Sequence, residues 1–468
     1  MNEQAGSASG GGGGHEAGPE TGPHAGSGGR GARVLLSAMM FLQFFVWGAW
    51  FVTLGPFMDQ NGLPATAIGN AYTTAPIAAI LAPLFLGVIA DRFFPSQVVL
   101  GVLHVLGGVL LLAAPALVPE ASGASAWPFV TLLLLHMLCY MPTLGLSNTV
   151  AFNALSRPDK EFPLVRVWGT VGWIVAGFAV AAAMGAAASA PAGVSDEAAE
   201  AARAASPVFF YVAGAVGVLL GLFSFVLPHT PAPMRGQPVS VGAALGLDAL
   251  KLMKDRAFAV FILGSLLICI PLAAYYQQAA AFATDAGMER VPVMMTFGQM
   301  SEVLFMLVMP LAFARLGVKW MLTIGMLAWV ARYGLFAAAW DASGVQHMMP
   351  LILAGIVLHG VCYDFFFVTG QIYTEQKAPK RIRAQAQSFL VLVTQGLGML
   401  IGNQLFARYV AANTAEGEDP AWRTVWLAPC LFAGVVMVVF FVLFNERGGR
   451  PERRGLEAAP VEPTPAPA

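Results

Sequence analysis

Twelve runs of about twenty or more predominantly apolar residues follow one another along this chain, separated by short polar joints. A helix of that length crosses roughly 30 Å of hydrocarbon. The runs lie near 35–58, 66–90, 96–118, 127–153, 163–188, 207–227, 257–284, 292–314, 319–340, 349–374, 383–409 and 423–445. They do not alternate apolar and polar residues as barrel strands do. The reading is an all-α membrane protein with twelve transmembrane helices. Charged residues make up only 11% of the chain, against about 25% in ordinary soluble domains.

The segments outside these runs are polar. Residues 1–33 are Gly-rich and lack the basic start and short apolar core of a cleaved signal. Residues 447–468, ending "EAAPVEPTPAPA", have a similarly biased composition. Both are expected to be disordered tails. The longest joint, 229–256, separates six runs (34–228) from six runs (257–446) and carries Arg235, Lys251, Lys254 and Arg256.

Basic residues orient the runs. The tails and the joints after even-numbered runs hold 19 Lys and Arg, whereas the joints after odd-numbered runs, with the adjoining helix ends, hold four. Positive charge favours the cytoplasmic side, so both termini are expected in the cytoplasm of a bacterial inner membrane. The four cysteines all fall in apolar runs without metal-like spacing, which suits packing and not disulfides. A net charge of −1 gives no sign of nucleic acid as a partner. There is no HExxH, phosphate loop or nucleophile–base pair, so neither an enzyme nor a cofactor is expected.

Six runs plus six, with both ends inside, is the plan of the major facilitator superfamily. "GVIADR" (87–92) resembles the loop signature of that superfamily through Gly87, Asp91 and Arg92. "AFARLGVK" (312–319) echoes it at the equivalent place in the second half. Such folds bind substrate between the halves, near the bilayer midplane.

An ionisable side chain inside a span costs at least ~2.5–3.5 kcal/mol and is a functional candidate by default. Arg166, Thr170 and Trp173, at i, i+4 and i+7, share one helix face. A cation, a hydroxyl and an aromatic there suit a polar, ring-containing ligand; the alternative is an Arg that snorkels to the nearby membrane edge. Gln299 and Glu302, at i and i+3, place an amide and a carboxylate on one face; the alternative is a clamp between helices. Asp364 follows Tyr363, with His359 one turn earlier. Its depth matches that of Arg166, which suits either a proton carrier that pairs reversibly with Arg166 or a permanent ion pair. Arg332 is read as structural, and His104 and His136 as packing residues. "PLAAYYQQ" (271–278) places two tyrosines and two glutamines after a proline kink, making Tyr275 a binding candidate.

"FLQFFVWGAWFVTLG", "YMPTLGLSNT", "FPLVRVWGTVGW", "LGLDALKLMKD", "GQMSEVLF" and "HGVCYDFFFVTG" occur in this order. Together they resemble the bacterial nucleoside:proton symporters of the major facilitator superfamily, over essentially the whole chain between the tails. The resemblance implies import of nucleosides driven by the proton gradient and places Arg166, Thr170, Gln299, Glu302, Tyr363 and Asp364 around the ligand. From the cost of burying a carboxylate, Asp364 or Glu302 is expected as the proton site, and a monomer is expected. Trp173 stands where the best-known member of that family has Phe, and His359 stands in place of Tyr. Leu272 and Tyr275 stand where that member offers Gln and Asn. The other functions weighed are a symporter for a sugar or another nucleoside-like solute, and a non-transporting membrane receptor.

Overall fold

Backbone groups in hydrocarbon have no water to bond, so a spanning segment must satisfy them internally. The computed structural model meets this demand with helices. It describes residues 30–85, 93–119, 125–187, 202–232, 242, 247–340, 349–379, 382–415 and 418–445. Residues 1–29 and 446–468 of the tails, residues 233–241 and 243–246 of the 229–256 joint with Arg235, and Gly87, Asp91 and Arg92 lie outside the described residues. The helices are α1 Arg30–Gln60, α2 Ala65–Phe85, α3 Ser96–Leu117, α4 Trp127–Ala154, α5 Pro158–Ala187, α6 Ala202–Val226, α7 Arg256–Asp285, α8 Val291–Ala339, α9 Met349–Lys377, α10 Gln385–Ala412 and α11 Trp422–Leu443. Among the described residues, ten helical stretches are long and apolar enough to cross a membrane. This is a multi-pass helical membrane protein.

The 49-residue α8 contains two of the apolar runs. Gly317 divides it, with φ 70° and ψ 173°. That conformation strains any residue with a Cβ and suits glycine. The echo motif "AFARLGVK" is therefore the place where one arm of α8 ends and the next begins. Elsewhere the chain reverses with side-chain help. Asp255 caps α7 by accepting from the Phe258 N–H (3.0 Å) and lies 3.6 Å from Lys377 at the end of α9. The Phe258 N–H, ahead of the lysine charge, holds the Asp255 carboxyl below the ordinary carboxylate range.

Helices before residue 232 and helices after residue 247 build separate hydrophobic clusters. The first group centres on residues such as Trp50, Phe129 and Phe210; the second on Phe282, Trp329 and Trp426. Within the first, Gln43 is a polar hub. Its Nε2 donates to Thr143 Oγ1 (2.7 Å), its Oε1 meets His104 Nε2 (2.7 Å), and its backbone carbonyl accepts from the Tyr140 hydroxyl (2.6 Å). With the amide oxygen as acceptor, His104 carries its proton on Nε2. His136 bonds the Gly107 carbonyl through Nδ1 (2.9 Å). Both histidines thus tie helices together. All four cysteines are free.

The two groups meet closely toward the end of the bundle opposite the termini. Gly55 lies against the Gln277 carbonyl, where a Cβ would approach to 2.6 Å. Gln404 on α10 donates to Asn70 Oδ1 (3.0 Å) and Thr73 Oγ1 (2.9 Å) on α2. Gln277 donates to Asn403 Oδ1 (2.8 Å). It points at α10.

Candidate functional site

"FPLVRVWGTVGW" becomes intelligible once α5 is seen against α1. Gly172 lets the α1 backbone approach so closely that a Cβ there would strike the Phe41 carbonyl, and Gly169 leaves room for the Phe44 ring and the Arg166 guanidinium. This contact sets the whole stripe. Arg166 lies with its guanidinium 4.0 Å from the centre of the Phe44 ring. Trp173 packs over Gly48 and meets Trp47 edge to face, with ring centres 5.6 Å apart. Arg166, Thr170 and Trp173 are all partly exposed.

Across from α5 stands the first arm of α8. Trp173 and Gln299 line the same narrow cavity, together with Gly48, Thr53 and Thr296. Gln299 Oε1 is buried without a hydrogen-bond partner. An amide oxygen in that state is held ready for a donor. Glu302, one turn further, lies within electrostatic reach of Arg166.

α8 in turn packs on α9 through a second tight crossing. A Cβ on Gly360 would come within 2.6 Å of the Glu302 backbone nitrogen. The Gly360 N–H donates to Ser301 Oγ (3.0 Å). This crossing brings His359 Nε2 to 3.9 Å from Glu302 Oε2. His359 also stacks between two tyrosines, with ring centres 5.7 Å from Tyr275 and 5.9 Å from Tyr363. Tyr363 is partly exposed, while His359 and Tyr275 are buried behind it.

Asp364 departs from the expected pairing with Arg166. From Tyr363 to Val368 the helix is π-wound, a local widening often found at functional sites. Regular α-helical spacing does not describe this turn. Asp364 is fully buried and neither carboxylate oxygen has a hydrogen-bond partner. Glu302 is a charged side chain within its electrostatic reach. Among the described residues Asp364 forms no ion pair with Arg166, and Glu302 lies within electrostatic reach of Arg166.

A site assembled from α1, α5, α8 and α9 can now be compared with known proteins. The model of the nucleoside H+ symporter family matches residues 31–448. The chain belongs to that family. Members are transporters, not enzymes. Among its relatives, YegT of Escherichia coli K12 is 36% identical over 419 residues, covering 88% of this chain and 93% of that protein. The xanthosine permease of the same organism is 30% identical over 427 residues, covering 88% and 95%. The crystal structure of the nucleoside transporter NupG superposes with a TM-score of 0.74 at 28% identity, covering 89% of this chain and all of that one.

In this symporter the structure links Trp173 to Gln299 through the cavity, Glu302 to His359, and His359 to Tyr363 and Tyr275; Arg166 and Thr170 lie on the same helix as Trp173. Sequence reading passed over Phe44, Trp47 and Thr296. The signal for the first two was present: Phe44 and Trp47 are three apart in "FLQFFVWGAWF", on one helical face. Nothing local marked which side of α1 would meet α5.

Proposed function

We propose that this chain is a proton-coupled nucleoside importer that works by alternating access. One observation carries the proposal. Trp173 from the first group of helices and Gln299 from the second line one narrow cavity, and Arg166 of the first group lies within electrostatic reach of Glu302 of the second. Donors and acceptors for ribose hydroxyls and base edges face aromatic surfaces for the base itself, namely Trp173 and Tyr363. A ligand held there bridges the two groups, so its binding free energy acts on their relative movement.

The assignment extends to topology. Counting α2 and both arms of α8 gives twelve crossings in two six-helix halves, 34–228 and 257–446, in the major facilitator arrangement. Both termini lie in the cytoplasm of a bacterial inner membrane, and the unit is a monomer. The seam at Gly55–Gln277 and Gln404–Asn70 then closes the outer side, and the conformer faces inward. Glu302 and Asp364 are the groups proposed to take up the coupled proton. The nucleoside class and the proton come from the family; the residues come from the sequence, supported by the Trp173–Gln299 cavity and the Glu302–His359 contact.

Uptake of radiolabelled nucleosides into vesicles with an imposed pH gradient tests the proposal. Purine and pyrimidine nucleosides should accumulate when the outside is acidic, and not after the gradient is collapsed. Free ribose and a disaccharide belong in the same panel. Accumulation of either in place of every nucleoside would assign the site to another solute.

A further inference from the structure

Arg332, on the second arm of α8, is a fully buried cation. Its Nε donates to the Gly355 carbonyl of α9 (3.0 Å), but Nη1 and Nη2 have no hydrogen-bond partner. Among the described residues no carboxylate forms an ion pair with it. A purely structural contact between two membrane helices is met at lower cost by apolar packing. The guanidinium has one further contact. Its Cζ lies 4.1 Å from the centre of the Tyr275 ring on α7, a cation–π geometry that is strongest where water is excluded.

Tyr275 is the first rung of a ladder leading to the cavity. Its ring is within 20° of parallel to that of His359 at 5.7 Å. His359 stacks on Tyr363 at 5.9 Å and faces Glu302 at 3.9 Å. Phe336, one turn after Arg332, lies parallel to Tyr275 at 9° and supports the same ring. Arg332 thus grips α9 by its Nε and α7 by its flat face. These are the two helices whose side chains meet behind Glu302.

We propose that Arg332 is a positioning residue for the substrate site. It holds the Tyr275 ring, and through it His359, so that the Glu302 carboxylate and the Tyr363 ring present a fixed surface to the nucleoside. The inference rests on the reading of Glu302 and Tyr363 as ligand contacts. A lysine in its place keeps the charge but has no planar face to lay on Tyr275.

Two measurements on purified full-length protein test this. The first is calorimetric binding of uridine and adenosine to Arg332→Lys, Tyr275→Leu and the double variant, each confirmed monodisperse. Arg332→Lys should raise Kd about tenfold. The double variant should bind no more weakly than Tyr275→Leu alone, because the arginine acts through that ring. Wild-type affinity in Arg332→Lys, or losses that multiply in the double variant, would overturn the proposal. The second measurement needs no nucleoside. Diethylpyrocarbonate labelling, read by mass spectrometry, should modify His359 severalfold faster in Arg332→Lys than in wild type, with His104 unchanged as an internal standard. Unchanged His359 labelling in folded Arg332→Lys, or in Arg332→Met if the lysine variant does not fold, also overturns it. If wild type binds neither nucleoside while His359 labelling responds, the nucleoside reading fails and the positioning role stands.

Discussion

Glu302 and His359 meet across the crossing of α8 and α9, oxygen to nitrogen at 3.9 Å. The absence of a side chain at Gly360 permits the approach. The separation is too long for a hydrogen bond, so the carboxylate is oriented by its neighbour without being saturated by it. Gln299, one turn earlier, keeps a free amide oxygen. Both groups therefore retain hydrogen-bonding capacity for a ligand. Losing one such buried partner costs ~1–3 kcal/mol. Gln299→Ala and Glu302→Ala should each weaken nucleoside binding at least severalfold in calorimetric titration. Wild-type affinity in both would move the site elsewhere.

Asp364 has no hydrogen-bond partner and sits where a permanent charge is costly. A carboxylate that gains and loses a proton during the cycle escapes that cost in the neutral state and couples two gradients. Asp364→Asn imitates the protonated form throughout the cycle. It should abolish pH-driven accumulation of nucleoside while downhill exchange between liposomes partly survives. Full pH-driven accumulation by this variant would leave Glu302 as the proton site.

Gly172 carries the α1–α5 approach that sets Arg166, Thr170 and Trp173. Gly172→Val inserts a side chain into the Phe41 backbone, and overpacking of this kind costs ~1–3 kcal/mol. A lowered melting temperature together with weakened nucleoside binding is the expected pair of effects. Gly434, which has nothing within 4 Å of an added Cβ, is the control: Gly434→Ala should change neither.

The distribution of Lys and Arg is the ground for the proposal that both termini are cytoplasmic. Reporter fusions at residue 20 and at residue 450 should both report the cytoplasm. A periplasmic signal at either position would mean an odd number of crossings and would remove the assignment of the Gly55–Gln277 seam to the outer face.

The sequence by itself determined that this chain is a bundle of membrane helices, because length and apolarity of a run decide whether it can leave water. It also determined which polar residues were worth attention, because burial of Arg166, Glu302 or Asp364 is costly wherever the helix packs. Spacing placed Arg166 with Thr170 and Trp173, and Gln299 with Glu302, since i+3, i+4 and i+7 share a face on any regular α-helix. The tertiary structure decided which faces meet. Gly172 and Gly360 set two helix crossings, and those crossings put Phe44 under Arg166 and His359 beside Glu302. The expected Asp364–Arg166 pair rested on equal depth, and depth leaves the rotation of each helix about its axis free. Among the described residues Asp364, in the π-wound turn at 363–368, forms no ion pair with Arg166. Arg332 is read as structural from its sequence neighbours. Its unpaired nitrogens and its contact with Tyr275 exist only where α7, α8 and α9 come together, because partners distant in the chain are chosen by packing and not by local spacing.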